Sequence, residues 1–193
     1  MKRVFLLNAP PSSGKDEVAK YLATTRGLGT HAEIKEKLFE LTCAVYCISR
    51  EDFMAIYSTE LKEKPDSRLR GLSPRQALIK VSEEMLKPVF GKRYFGEAAA
   101  LSLKEGDTFF SDSGFYDEAE AIRDVVGKEN LFIIRIHRPG YTYERFNDSR
   151  RYLTDEECER LAADYIDIHN DGTLEEFFVQ VLDYVMGCTD EET

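Results

Sequence analysis

The stretch RVFLLNAPPSSGKDEVAKYLATT, residues 3–25, decides how the rest of the chain reads. Arg3 to Asn8 is short and nearly all apolar, the composition of a strand buried on both faces of a parallel sheet. Gly14 to Thr25 is expected to be helical, with Val18, Tyr21 and Leu22 on one stripe. Between them, Ala9 to Asp16 follows the GxxxxGK[ST] pattern in outline. In such a loop the main-chain amides, here around residues 10–15, curl round phosphates at a helix N-terminus, and the lysine reaches the outer phosphates as a point charge. Two positions depart from the pattern. Ala9 replaces the first glycine, which is tolerable if its backbone stays out of left-handed space. Asp16 replaces the hydroxyl that normally touches Mg2+, and a carboxylate can hold that ion directly or through water. The expected nucleotide-binding set is Pro11, Ser12, Ser13, Gly14, Lys15, Asp16 and Glu17, with ATP and Mg2+ as cofactors.

Outward from this loop, strands alternate with helices. A short strand is expected at Thr30 to Glu33, and a helix at Ile34 to Ile48 with Ile34, Leu38, Leu41 and Val45 on its stripe. Another short helix is expected near Arg50 to Ser58, before a charged connection at 59–72 broken by Pro65 and Gly71. Ser73-Pro74 supplies an N-cap and a first-turn proline for a helix running to about Leu86 and stopping before Pro88. Further helices are expected at Arg93 to Leu103, Tyr116 to Val126 and beyond Asn170-Asp171-Gly172-Thr173. The remaining strands are Thr108 to Phe110, Leu131 to His137 and Tyr165 to His169. Alternation of this kind means a parallel α/β sheet covered by helices on both faces.

Size and composition bound the function. With 193 residues and 42% apolar content, one domain is expected. The N-terminal apolar run is too short for a signal peptide, and no run approaches the roughly 20 residues of a membrane span. A cytoplasmic protein without membrane partners is expected, in the host cytoplasm if phage-encoded, with its oligomeric state open. Cys43, Cys47, Cys158 and Cys188 lack zinc-site spacing and read as core filler. His31, His137 and His169 read as structural. The net charge of −10, partly in a tail at Asp190-Glu191-Glu192, argues against holding long duplex DNA by phosphate neutralisation alone.

SGKDEVAKYL (13–22) resembles the GKD variant of the phosphate loop in phage deoxynucleoside monophosphate kinases. Further matches follow in the same order: SPRQALIKVSEEM (73–85) to an S-x-R helix, FFSDSGFYDEAEAI (109–122) to strand-D-x-R-x-x-x-E-A, IIRIHRPG (133–140) to the strand-RPG start of a lid, and IHNDGTLEEFFVQV (168–181) to a closing N-D-G-[ST]-L-E-E helix. The layout also resembles related phage kinases that phosphorylate 5-hydroxymethyluracil within DNA. The resemblance implies a three-layer α/β P-loop NTPase fold, with the parallel sheet and lid of nucleoside monophosphate kinases. It implies one kinase domain over 1–193, with core segments 1–58, 104–137 and 160–187, an acceptor-binding insert at about 59–103 and a lid at about 138–153.

Asp112 is expected at the C-terminal end of a parallel strand, where it could act as a base or orient Mg2+. Where the monophosphate kinases have an arginine two residues on, this chain has Gly114. That favours an alcohol acceptor, the hydroxymethyl group of 5-hydroxymethyluracil in DNA, over a free deoxynucleoside monophosphate. Arg68, Arg70, Arg75 and Arg93 are candidate acceptor contacts, in a stretch from Lys62 to Arg93 with nine basic and four acidic residues. Phe90, Tyr94 and Phe95 could stack on a base. Arg138, Arg145, Arg150 and Arg151 populate the lid, with Arg145 and Arg150 expected at the transferring phosphoryl group beside Lys15 and Arg138 at the bound nucleotide. Asn170 and Gly172 are expected at the donor adenine. A nucleotide-binding protein without turnover is the reading outside the enzymes.

Overall fold

β1 (Val4–Asn8) is buried at every residue, as its unbroken apolar run requires of a central parallel strand. It pairs in parallel with β3 (Asp107–Ser113) on one side and β4 (Leu131–His137) on the other. β2 (Gly29–Ala32) extends the sheet beyond β3 and β5 (Asp164–His169) beyond β4, in the order β2-β3-β1-β4-β5. The structure is a computed structural model, and its described residues are 2–57, 60–146 and 148–188. Ser58, Thr59 and the acidic tail Asp190-Glu191-Glu192 lie outside them.

Strand side chains alternate between two cores. Phe5, Leu7, Phe109, Phe132 and Ile134 pack against α1 (Lys15–Lys20), which continues in π register through Thr25, and against α9 (Leu174–Gly187). Phe5 stacks between Phe109 and Phe132 at 5.2 and 5.0 Å. Val4, Leu6, Phe110, Leu131 and Ile133 face the other way. They pack with residues of α6 (Tyr94–Leu101), α7 (Tyr116–Val126) and α8 (Asp155–Leu161). The result is the three-layer α/β arrangement expected from the sequence. A third apolar cluster joins α2 (Glu36–Tyr46), α3 (Arg50–Ile56) and α4 (Pro74–Ile79) through Phe39, Cys43, Phe53 and Leu78. No helix among the described residues is long and apolar enough to cross a membrane.

Several sequence expectations change. The inward face of α2 is Phe39, Thr42 and Cys43, while Val45 is 41% exposed, because α2 packs on α3 and α4 along a different stripe. Cys47 is exposed in a left-handed turn that ends α2, so it fills no core. The helix begun by the Ser73 capping box does not stop before Pro88. It widens to π register over Lys80–Leu86 and passes into α5 (Lys87–Phe90), where Pro88 occupies a first turn that needs no N–H donor. α8 was not expected, although Thr154 and Glu157 form a reciprocal capping box at its start. Within the expected capping segment Asn170-Asp171-Gly172-Thr173, Thr173 is the residue that caps α9.

Asn8 closes the C-terminal end of β1. Its amide nitrogen donates to Tyr143 Oη and the Arg151 carbonyl, both at 3.0 Å, and its oxygen accepts from the Leu153 amide at 2.8 Å. Arg135 and Tyr152 add bonds to Leu153 O at 2.9 Å and Ile136 O at 2.7 Å. Residues 151–153 are thereby stitched to the sheet edge. Asn8→Ala strands these buried partners and is expected to lower unfolding free energy by about 3 kcal/mol in chemical denaturation.

Candidate active site

The loop after β1 has the backbone its sequence asks for. Gly14 takes φ +94°, and a Cβ there would come within 2.8 Å of Asn170 Nδ2 and 3.0 Å of Phe177. Ser12 is also left-handed, at φ 63°, whereas Ala9 is not among the left-handed residues, so the missing first glycine does no harm. Two side chains from other strands hold the loop from outside. Asn170 donates to Ser13 O at 2.9 Å and Arg138 donates to Ser12 O at 2.7 Å. Among the described residues no acceptor engages the amides of Ser12, Ser13, Gly14 and Lys15. Pro10 and Pro11 have no N–H, so the cradle's donors begin at Ser12 rather than at residue 10, and Pro11 only shapes the loop.

Lys15 is 5% exposed, its ammonium 3.4 Å from both Pro10 O and Asp16 Oδ2. Burial lowers its pKa, with Arg150 and Lys35 adding to the fall and Asp16 opposing it. At Asp16 burial is outweighed by the Lys15 charge and the Ser111 hydrogen bond, which hold the carboxyl below its usual range. Ser111 Oγ donates to Asp16 Oδ1 at 2.9 Å and itself meets His31 Nε2 at 2.8 Å. An ionised, half-exposed carboxylate beside a phosphate cradle suits Mg2+, which takes one or two carboxylates and completes its shell with water and substrate phosphates. No cluster of three or more acidic, His or Cys side chains that could cage a metal exists among the described residues. Glu17 is exposed, 4.0 Å from Lys20.

A cavity of about 180 Å³ opens at the end of β3, lined by Arg75, Asp112, Phe115, Glu118 and Arg150 among others. A larger recess of about 480 Å³ between α2 and α6 holds no strand residue and no arginine. Asp112 accepts from the Ile34 amide at 2.7 Å and the Lys35 amide at 3.0 Å. Both of its oxygens thus fix the turn between β2 and α2, which argues against the expected roles of base and Mg2+ ligand. Arg150 is only 18% exposed. It donates to both oxygens of Asp148, at 3.0 and 2.6 Å, and to Asp112 O at 3.0 Å. One N–H on each terminal nitrogen is left to point elsewhere. Its stem lies on Gly114, where an added Cβ would meet Arg150 Cβ at 2.6 Å. Arg150, from the loop before α8, thus lies directly over position 114.

The other expected arginines divide. Arg75 lines the cavity and bonds Glu63 at 3.1 Å. Arg68 pairs with Asp66, Arg93 with Glu120 and Asp124 on the outside of α7, and Arg70 ends a short turn in left-handed conformation; none of the three lines the cavity. Arg145 folds back on Gly140 O and over the Tyr141 ring, and Arg151 pairs with Glu157. Gly172 leaves room for the Glu176 carboxylate of the α9 cap and does not touch the loop. Phe95 lines the cavity, while Phe90 is 58% exposed and stacks on Tyr94.

Sequence reasoning missed Glu118, Lys35, Lys87 and Phe115, all on the cavity wall. Glu118 was legible as an acid at a position of α7 whose neighbours Ala119 and Ile122 turn inward.

No protein-family model matches the chain. It is similar to a protein of Acanthamoeba polyphaga mimivirus named "Putative deoxynucleotide monophosphate kinase", at 27% identity over 188 residues, covering 90% of this chain and 91% of that one. Among solved structures it is similar to dephospho-CoA kinase from Campylobacter jejuni, with a TM-score of 0.48, 14% identity and 100% coverage of both chains. Shikimate kinase from Aquifex aeolicus gives a TM-score of 0.41 at 14% identity and 97% coverage of both.

Burial pushes the Glu118 carboxyl from an ordinary 4.5 up to about 8, with Asp112 adding to the rise and Lys87 and Arg150 opposing it. The folded chain holds this proton more tightly than the unfolded one, so its contribution is complete below about pH 4.5 and lost as pH climbs to about 8. Glu118→Gln removes that loss. Its melting temperature is expected to gain on the wild type by several degrees between about pH 5 and about pH 9, at roughly 2–4 °C per kcal/mol.

Proposed function

We propose that this chain is an ATP- and Mg2+-dependent phosphotransferase whose acceptor is the phosphate of a free deoxynucleoside monophosphate. The observation that carries the choice of acceptor is Arg150, buried at the end of β3 with its stem on Gly114 and two N–H groups to spare. Such a fork is a bidentate phosphate clamp. The name carried by the mimivirus relative supports the same reading.

In this reading the amides from Ser12 to Lys15 and the Lys15 ammonium hold the donor's outer phosphates, while Arg138 and Asn170 keep the loop's carbonyls turned away. Asp16 is the ligand for Mg2+, which would neutralise charge on the bridging phosphates. Arg150 and Arg75 hold the acceptor phosphate. That phosphate is already a nucleophile at neutral pH, so no general base is needed. Asp112 then serves by fixing the 34–35 turn and, through its carbonyl, Arg150. Arg145, stacked on Tyr141, is the lid arginine left for the transferring group. Residues of about 59–103 form the acceptor-binding insert and about 138–153 the lid.

A hydroxymethyl acceptor within DNA drew its support from the arginine missing at 114 and from the basic stretch at 62–93. Arg150 fills the first. In the second, Arg68, Arg70 and Arg93 line no part of the acceptor cavity, which weakens the case for a continuous strand-binding face there.

Labelled ATP offered with free deoxynucleoside monophosphates and with DNA containing 5-hydroxymethyluracil is expected to label only the free nucleotides. Label on the polymer, or ATP binding with no acceptor-dependent ADP, contradicts the proposal. Arg150→Ala is expected to lower acceptor kcat/KM by about 10²-fold or more with ATP KM within about twofold.

A further inference from the structure

Glu118 stands apart from the other charged groups of the acceptor cavity. It is 7% exposed and sits in the first turn of α7. Its neighbours each have partners: Asp112 the amides of Ile34 and Lys35, Glu83 the Lys87 ammonium at 2.6 Å, and Arg150 the Asp148 carboxylate. Among the described residues no hydrogen bond or ion pair engages the Glu118 carboxyl, and its surroundings act on it only at a distance. An unpaired buried acid costs stability, and the backbones of α6 and α7 are in close contact there: an added Cβ at Gly96 would meet the Glu118 carbonyl oxygen at 2.3 Å. Beside its charged groups the cavity wall carries an apolar part, Leu38, Leu78, Phe95 and Phe115. Such walls receive an aromatic ring rather than a phosphate.

We propose that the Glu118 carboxyl group pairs with the donor–acceptor edge of the acceptor's nucleobase and so holds the base while Arg75 and Arg150 hold the phosphate. The inference rests on the monophosphate-kinase reading and adds the residue that holds the base. A carboxylic acid presents one O–H donor beside one carbonyl acceptor, and every nucleobase carries adjacent groups that complement such a pair. A carboxylate offers no donor and would repel the incoming phosphate. The groups facing Glu118 are Asp112 from β3, Glu83 from the π-register segment, Lys87 from α5 and Arg150 from the loop before α8. Burial, Asp112 and Glu83 keep the proton on, against Lys87 and Arg150.

The test is steady-state kinetics of the full chain at saturating ATP. The four common deoxynucleoside monophosphates serve as acceptors and deoxyribose 5-phosphate as a base-free competitor. Glu118→Leu is expected to raise acceptor KM about tenfold or more, leaving ATP KM and inhibition by deoxyribose 5-phosphate within about twofold. Glu118→Gln, which keeps a donor beside an acceptor, is expected to stay near wild type at neutral pH. Wild-type acceptor kcat/KM is expected to fall above about pH 8, and the Gln variant to show no such fall. A Gln variant as impaired as Leu, a fall that persists in Gln, or a Leu variant equally weakened toward deoxyribose 5-phosphate overturns the assignment. If the Leu variant does not fold, the pH profiles of wild type and Gln decide. Normal turnover in every Glu118 variant refutes the base contact alone, whereas a wild type that phosphorylates no monophosphate refutes both it and the proposed function.

Discussion

Everything at the nucleotide-binding edge depends on which way the peptide groups of residues 12–14 face. A phosphate cradle works only if the carbonyls are occupied elsewhere, and this chain occupies them with Asn170 after β5 and Arg138 after β4. Left-handed backbone at Ser12 and Gly14 makes the reversal possible, and Gly14 is the position where a side chain would strike Asn170. The sheet order explains why those partners are at hand. β1 is flanked by β4, and β4 by β5, so the residues just beyond all three strands meet at one edge.

The cavity at the end of β3 is assembled by a different device. Asn8, at the end of β1, collects the segment that returns from the lid and fixes residues 151–153 against the sheet. Arg150 is then carried over Gly114 by the chain path itself, with Asp148 setting its plane. A small residue at 114 is what lets the long side chain lie there. The two halves meet at Lys15 and Arg150, whose mutual repulsion helps lower the Lys15 pKa. An arriving phosphate would relieve that repulsion.

The fold was legible because its signals are local. β4 and α7 begin and end where periodicity placed them, and the loop's GK sits between a strand and a helix as its pattern requires. Local signals also misled where packing chose otherwise. The stripe read on α2 came from spacing alone, but α2 turns Phe39 and Cys43 toward α3 and α4. Spacing also brought Arg138 and Asn170, which directly follow β4 and β5, to the loop that leads into Lys15 and Asp16 at the start of α1. What could not be read was contact across the chain: Gly114 and Arg150 are far apart in sequence, so nothing local signalled that one would lie on the other. Pro10 and Pro11 are the opposite case, since their missing N–H groups were visible in the sequence from the start.

The most direct test is calorimetric titration of the purified chain with ATP and Mg2+, beside Lys15→Ala. If the amides from Ser12 to Lys15 form a triphosphate cradle, the wild type binds with a Kd of micromolar order, and loss of the buried ammonium weakens binding about tenfold or more. Absence of binding by the wild type, or equal affinity in the two proteins, contradicts the account.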